Sequence, residues 1–217
     1  MQKQTYKKAL SILIATVLLL SILPISLALA AIPGNIDAPA VGTDVKVGDK
    51  VLAKGHGASP GGLVKVYWDM VVDANKLNET YAKGDGTWEC YVTILEDVAG
   101  THYIIVGPDS VNVDLIPKIT LSPTTGLKDD TVTVNGKGFA AEKVVTVKFG
   151  GDAMTTTPTE VKTTTKGSFS CTFKVPEKVY GPYTVEASDT VPNTATATFT
   201  IGATITLTPA EGPSGTK

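Results

Sequence analysis

The chain of 217 residues contains no arginine; all 19 basic side chains are lysines, set against 21 carboxylates. Nucleic-acid binders normally carry a basic patch with arginine at base edges and phosphates, so this composition argues against that class. No polybasic cluster is present either, which argues against docking on anionic lipid through such a cluster. Cysteine occurs only twice, as Cys90 and Cys171, and histidine only twice, as His56 and His102. Neither pair shows the clustered three- or four-ligand spacing of a zinc site. No serine sits in a nucleophile elbow, and no cysteine has a nearby histidine in the pattern of a thiol nucleophile. Carboxylates such as Asp69, Asp73, Asp129 and Asp130 fall singly or in pairs at turns, where aspartate bonds its own backbone. Calcium at Asp129-Asp130 is the lesser reading, since that ion wants six or more oxygens and no calcium-binding loop motif is present. The expectation is a non-enzyme without catalytic, metal-binding or cofactor-binding residues. Helical periodicity is also missing after the N-terminal segment, so the fold class is all-β.

What the chain does contain is itself, again, 81 residues later. Gly55-His56-Gly57 returns as Gly136-Lys137-Gly138, and Val64, Val66 and Trp68 return as Val145, Val147 and Phe149. Gly86, Trp88 and Cys90 return as Gly167, Phe169 and Cys171; Gly100, His102 and Ile104 return as Gly181, Tyr183 and Val185. A third copy starts with Ile205-Thr206-Leu207-Thr208-Pro209, echoing Ile119-Thr120-Leu121-Ser122-Pro123. Repetition at such a period marks an array of structural units. The division expected is residues 31–116, residues 117–202 and the opening of a third repeat over 203–217. A piece that short cannot bury an apolar face alone, so the sequence reads as part of a longer repeat protein.

Ahead of the repeats, Lys3, Lys7 and Lys8 precede an uncharged apolar run, Pro24 breaks it, and Ala28-Leu29-Ala30 offers small residues. These are the three parts of a secretory signal peptide, residues 1–30, cleaved after Ala30. An uncleaved N-terminal anchor is the competing reading, because the apolar stretch is long enough to span a bilayer. Without residues 1–30 the formal charge is 16 − 21 = −5, mildly acidic.

Period-two alternation places Trp88, Cys90, Val92 and Ile94 on one strand face, and Phe169, Cys171, Phe173 and Val175 on its counterpart. Each cysteine then lies inside its own core, too far from the other for a disulfide; two buried free thiols are expected. Between the repeats stands only Ile116-Pro117. Proline stiffens that junction by fixing φ, which predicts a semi-rigid string of modules.

The segment Ser122-Pro123, Gly126, then Thr131-Val132-Thr133-Val134-Asn135-Gly136-Lys137-Gly138-Phe139 resembles the opening of an IPT/TIG-type immunoglobulin-like domain of a prokaryotic cell surface. Gly181-Pro182-Tyr183-Thr184-Val185 is similar to the penultimate strand of such modules. The likeness covers the second repeat well and the first more loosely, with His56 and Ala58 standing where Lys137 and Phe139 stand later. It implies tandem Ig-like β-sandwiches with extracellular, structural or adhesive use and no shared catalytic residues.

Three candidate features remain. Tyr67 and Tyr91 have the parity opposite to Trp68 and Trp88 and are expected to face out as ligand-facing aromatics, although exposed cross-strand aromatics also simply stabilise sheets. Asn78-Glu79-Thr80 is a glycosylation sequon, placed by the pattern in a loop beyond Val72. The reading is an exported cell-surface spacer or adhesion module whose partners are envelope components or extracellular protein or polysaccharide. The alternative is a polysaccharide- or protein-binding accessory to a larger secreted enzyme. Membrane contact is expected only through an uncleaved N-terminal segment or a C-terminal anchor further on.

Overall fold

The computed structural model describes residues 35–203; the expected signal segment and the start of the third repeat lie outside the described residues. Short alternating runs punctuated by Gly, Pro and Asp form strands, as their pattern requires. The first eight are β1 (Ile36–Ala38), β2 (Thr43–Val45), β3 (Lys50–Gly55), β4 (Leu63–Trp68), β5 (Lys76–Tyr81), β6 (Trp88–Thr93), β7 (Gly100–Val106) and β8 (Asp109–Leu115). They build a sheet in the order β1-β3-β6 and a facing sheet in the order β2-β8-β7-β4-β5. The next ten are β9 (Lys118–Ser122), β10 (Thr125–Gly126), β11 (Thr131–Lys137), β12 (Val144–Phe149), β13 (Asp152–Ala153), β14 (Thr156–Thr157), β15 (Val161–Lys162), β16 (Phe169–Lys174), β17 (Gly181–Asp189) and β18 (Thr194–Ile201). Their sheets run β14-β16-β11-β9 and β10-β18-β17-β12-β13, with β15 also paired to β12. Pairing is antiparallel except at β2–β8 and β10–β18, which are parallel. The result is two Ig-like β-sandwiches in tandem, all-β as the pattern implied.

Two separate apolar clusters fill them, one led by Trp68, Trp88 and Ile104, the other by Phe139, Phe149 and Phe199. Matching residues take matching places. Trp88 and Phe169 are both interior, at 1% and 7% exposure. Each lies across from a glycine, Gly55 in the β3–β6 ladder and Gly136 in the β11–β16 ladder. Those glycines are required: a Cβ on Gly136 would sit 2.0 Å from a Phe169 ring carbon, and one on Gly55 would sit 2.6 Å from the Trp88 ring. The exchange of Phe169 for Trp88 has a consequence, because the Trp88 indole N–H is buried without a partner. An unmet buried donor costs about 1–3 kcal/mol, which the area of the larger ring offsets.

Both cysteines are free, Cys171 within the second core and Cys90 beside the first. The expectation of two buried thiols needs correction at Cys90, which is only half-buried. The cause is sheet width. Cys171 lies on β16, flanked by β14 and β11, whereas Cys90 lies on β6 at the edge of a three-stranded sheet.

Candidate functional site: the junction between the sandwiches

The two cores are joined by Ile116-Pro117 alone, and the linker is bonded back to its own sandwich, with the Ile116 N–H donating to the Val45 carbonyl at 2.9 Å. The loop between β6 and β7, residues 94–99, reaches the second sandwich. There the Ala99 N–H donates to the Phe139 carbonyl at 3.2 Å. The Lys137 ammonium pairs with the Glu96 carboxylate at 3.0 Å, and Lys166 Nζ lies 3.5 Å from the Glu96 carbonyl oxygen. Lys118 stands 4.0 Å from Asp49 across the linker. The Lys137 and Ser168 side chains bonded to Glu96 hold its carboxyl below its ordinary value against the opposing effect of burial. Crevices of about 200 and 230 Å³ flank the linker, the first lined by Val47, Lys118 and Lys137 and the second by Lys46, Ile116 and Pro117. The junction is therefore narrow and clasped by polar groups, without a shared apolar core.

Behind the clasping loop sits a histidine. The imidazole of His102 is stacked on Trp68, ring centroids 4.8 Å apart at 21°. Its Nδ1 lies 2.6 Å from an Asp69 carboxylate oxygen and its Nε2 lies 2.8 Å from the Val98 carbonyl. Both partners are acceptors, so the pair of contacts favours the ring protonated on both nitrogens. Burial opposes that charge, but the Asp69 bond, the Val98 carbonyl and the fields of Asp69 and Asp97 outweigh it and raise the His102 pKa above 6.5. Asp69 uses its second oxygen to accept from the Tyr103 N–H at 2.7 Å. Asp97 accepts from the Trp68 indole at 3.3 Å.

The second sandwich carries an uncharged version of the same device. Tyr183 replaces His102, stacks on Phe149 at 5.1 Å, and donates its hydroxyl to the Val179 carbonyl at 2.9 Å. Gly150 replaces Asp69, and both backbones are left-handed, with φ of 57° and 56°. An aspartate pays strain there that glycine does not; the two hydrogen bonds of its carboxylate offset it. Asp69, Asp97 and His102 bring ligand-type atoms within 4.8 Å of one another. Since both His102 nitrogens already face acceptors, the arrangement is a hydrogen-bonded strut pinning the clasping loop. Spacing alone gave His102 no ligand role and missed this network. The paired exchange of Gly150 and Tyr183 for Asp69 and His102 was the available signal.

The remaining candidates fall elsewhere. His56 is exposed and pairs with Asp37 at 2.9 Å. Asp130 accepts from the Leu127 N–H at 2.7 Å and Asp49 from the Lys46 N–H at 3.0 Å, turn caps repeated in both sandwiches. Tyr91 faces out, 64% exposed, but Tyr67 is 8% exposed, so the expected outward pair does not form. The ladder register shifts between Val66 and Tyr67, breaking the alternation from which Tyr67 was judged outward, and Ile105 and Lys76 flank it on the neighbouring strands. Asn78 lies within β5, not in a loop, and its amide donates to the Tyr91 carbonyl at 2.7 Å. A surface depression of about 580 Å³ on the second sandwich is lined by Thr131, Met154, Thr172 and Lys174, and the Lys174 ammonium donates to the Thr131 hydroxyl there at 2.8 Å.

Among the described residues no helix is long and apolar enough to cross a membrane. No curated protein matches the chain. Solved structures with similar strands include dimeric latent PorU from Porphyromonas gingivalis, 11% identical over 77% of this chain and 19% of that one, TM-score 0.37. A glycosyl hydrolase family 2 member from Bacteroides cellulosilyticus is 15% identical over 72% of this chain, TM-score 0.33. Invasin, a bacterial integrin-binding protein, is 15% identical over 78% of this chain, TM-score 0.33. This chain spans 23% of the hydrolase and 39% of invasin. At such scores these likenesses carry nothing about activity or partner. The family model described as IPT/TIG domain matches residues 116–201, and no catalytic family is identified. That match falls on the second sandwich of this chain, β9 to β18.

Proposed function

We propose that the two sandwiches act as a semi-rigid, non-catalytic spacer in an exported protein of a bacterial or archaeal surface, holding a more distal part away from the envelope. The observation that carries this reading is the clasped junction: a two-residue linker, a backbone hydrogen bond from Ala99 to Phe139, and the Glu96–Lys137 pair. An isolated exposed ion pair contributes roughly 0–1 kcal/mol. Several weak restraints acting on one short linker nonetheless limit bending, because the free loop each must close is short. Export and cleavage after Ala30 belong to the same proposal and are checked by N-terminal sequencing of the protein from its native host.

The test is rotational diffusion measured by NMR relaxation on the two-sandwich protein. A spacer shows one shared, anisotropic tumbling time for both sandwiches; independent tumbling would remove the proposal. A second reading, a polysaccharide- or protein-binding accessory, is favoured by exposed Tyr91, set across from Leu52 in the β3–β6 ladder. Glycan-array binding lost in Tyr91→Ala would promote that reading. Asn78 is proposed as a glycan acceptor, and an intact mass equal to that of the bare polypeptide would withdraw it.

A further inference from the structure

The end of the first sandwich that meets the second has a counterpart at the far end of the second, and among the described residues that counterpart is exposed. The clasping residues Glu96, Val98 and Ala99 correspond at the 81-residue offset to Glu177, Val179 and Tyr180. In the first sandwich these positions are partly buried against the junction. In the second, Val179 is 73% and Tyr180 72% exposed; Leu127, the counterpart of Lys46, is exposed too, and its neighbour Lys128 pairs with Glu177 of the same loop at 2.6 Å. The loop is not slack. The Tyr183 hydroxyl pins the Val179 carbonyl as His102 pins that of Val98, so two apolar side chains are presented to solvent on a fixed support.

The chain also leaves the second sandwich as it left the first. β8 ends beside β2 with the Ile116 N–H bonded to the Val45 carbonyl at 2.9 Å. β18 ends beside β10 with the Gly202 N–H bonded to the Gly126 carbonyl at 2.8 Å. Whatever follows Gly202 therefore starts from the place, relative to this exposed end, that Pro117 occupies relative to the first junction. The sequence that follows, Ile205-Thr206-Leu207-Thr208-Pro209, repeats that of β9.

We infer that the Val179–Tyr180–Leu127 end is a docking face for a following Ig-like repeat of the same polypeptide, seated as the second sandwich is seated on the first. This deepens the spacer reading and rests on it. Charge selects between this occupant and a second copy of the chain. At the first junction Glu96 meets Lys137 and Lys166. The corresponding turns of the first sandwich carry His56, already paired with Asp37, and Asp85. A second copy stacking end to end would set Glu177, which pairs with Lys128 at 2.6 Å, against Asp85 and would offer it no lysine in the place of Lys137 or Lys166. A repeat with lysines in those turns, as in the second sandwich, would meet Glu177 favourably. The exposed apolar groups make this second junction more apolar than the first, where Ala99 stands in place of Tyr180 and Lys46 in place of Leu127. Large exposed apolar groups clustered on one rigid surface are the mark of such a contact.

Hydroxyl-radical footprinting of the protein produced from its own gene to the natural stop codon reads this directly. Tyr81 and Tyr91, 69% and 64% exposed, are internal controls of nearly equal exposure. The docked face predicts that Tyr180 is oxidised several-fold more slowly than either control, at every protein concentration. Substituting Glu177→Lys raises Tyr180 oxidation toward the control rate while leaving Tyr81 and Tyr91 unchanged. Tyr180 oxidised as fast as the controls overturns the inference. So does protection that disappears on dilution, which would assign the face to a second copy. Neither result touches the shared tumbling of the first two sandwiches, so the spacer reading stands or falls separately.

Discussion

His102 is the residue whose chemistry changes most between repeats, because a neutral phenol became an imidazole held between two acceptors. Its pKa is raised in the folded protein. A raised value contributes stability that is fully present below the unfolded pKa, near 6.5, and lost as pH rises through the folded value. Denaturant melts of the first sandwich should therefore weaken above about pH 6.5, and His102→Gln should flatten that dependence. Asp69→Ala removes both carboxylate bonds and leaves a left-handed alanine; a loss of about 1–3 kcal/mol is expected, with Asp69→Asn milder because asparagine tolerates that backbone. Cys171 gives a second prediction at this scale. Burial pushes its thiol up to about 11, so iodoacetamide should modify Cys90 faster than Cys171 in the native protein, with the difference vanishing in denaturant. Equal native rates would contradict the edge position of β6 as the cause.

Among the elements, the paired strands β11 and β16 show how one missing atom sets a core. Gly136 faces Phe169 across the ladder with no room for a methyl group. Gly136→Ala should destabilise the second sandwich by about 3 kcal/mol, the upper part of the overpacking range. Gly84→Ala, where nothing lies within 4 Å, should change stability by less than about 0.5 kcal/mol. Thermal melts of the two variants test the pair together. The strands themselves and their inward faces were legible because alternation is local. Tyr67 was not, since a register shift at Val66 depends on how β5 lies against β4. Asn78 escaped for a related reason: β5 carries only Leu77 and Thr80 half-buried, too weak an alternation to announce a strand.

For the whole molecule, the junction is the quantity to perturb. Glu96→Lys should leave the melting of each sandwich nearly unchanged, because the pair it breaks is worth at most about 1 kcal/mol. It should lower the shared tumbling of the two sandwiches, and the swap Glu96→Lys with Lys137→Glu should restore it. High salt acts in the same direction as the single variant. Acid provides an independent check. The Glu96 pKa is lowered from 4.5, so its contribution is present above 4.5 and lost as pH falls through the folded value; junction order should decay there while both cores persist.

The order of residues along this chain was enough to establish its all-β class, its repeat and its two interior faces. Each of those is written in spacing that survives without knowing what touches what. The Asp69–His102–Val98 strut, the half-exposed Cys90 and the clasp at Glu96 depend on residues dozens of positions apart meeting across sheets. Such meetings follow from how two sheets close over one core and how far each sheet extends, and no local pattern encodes either.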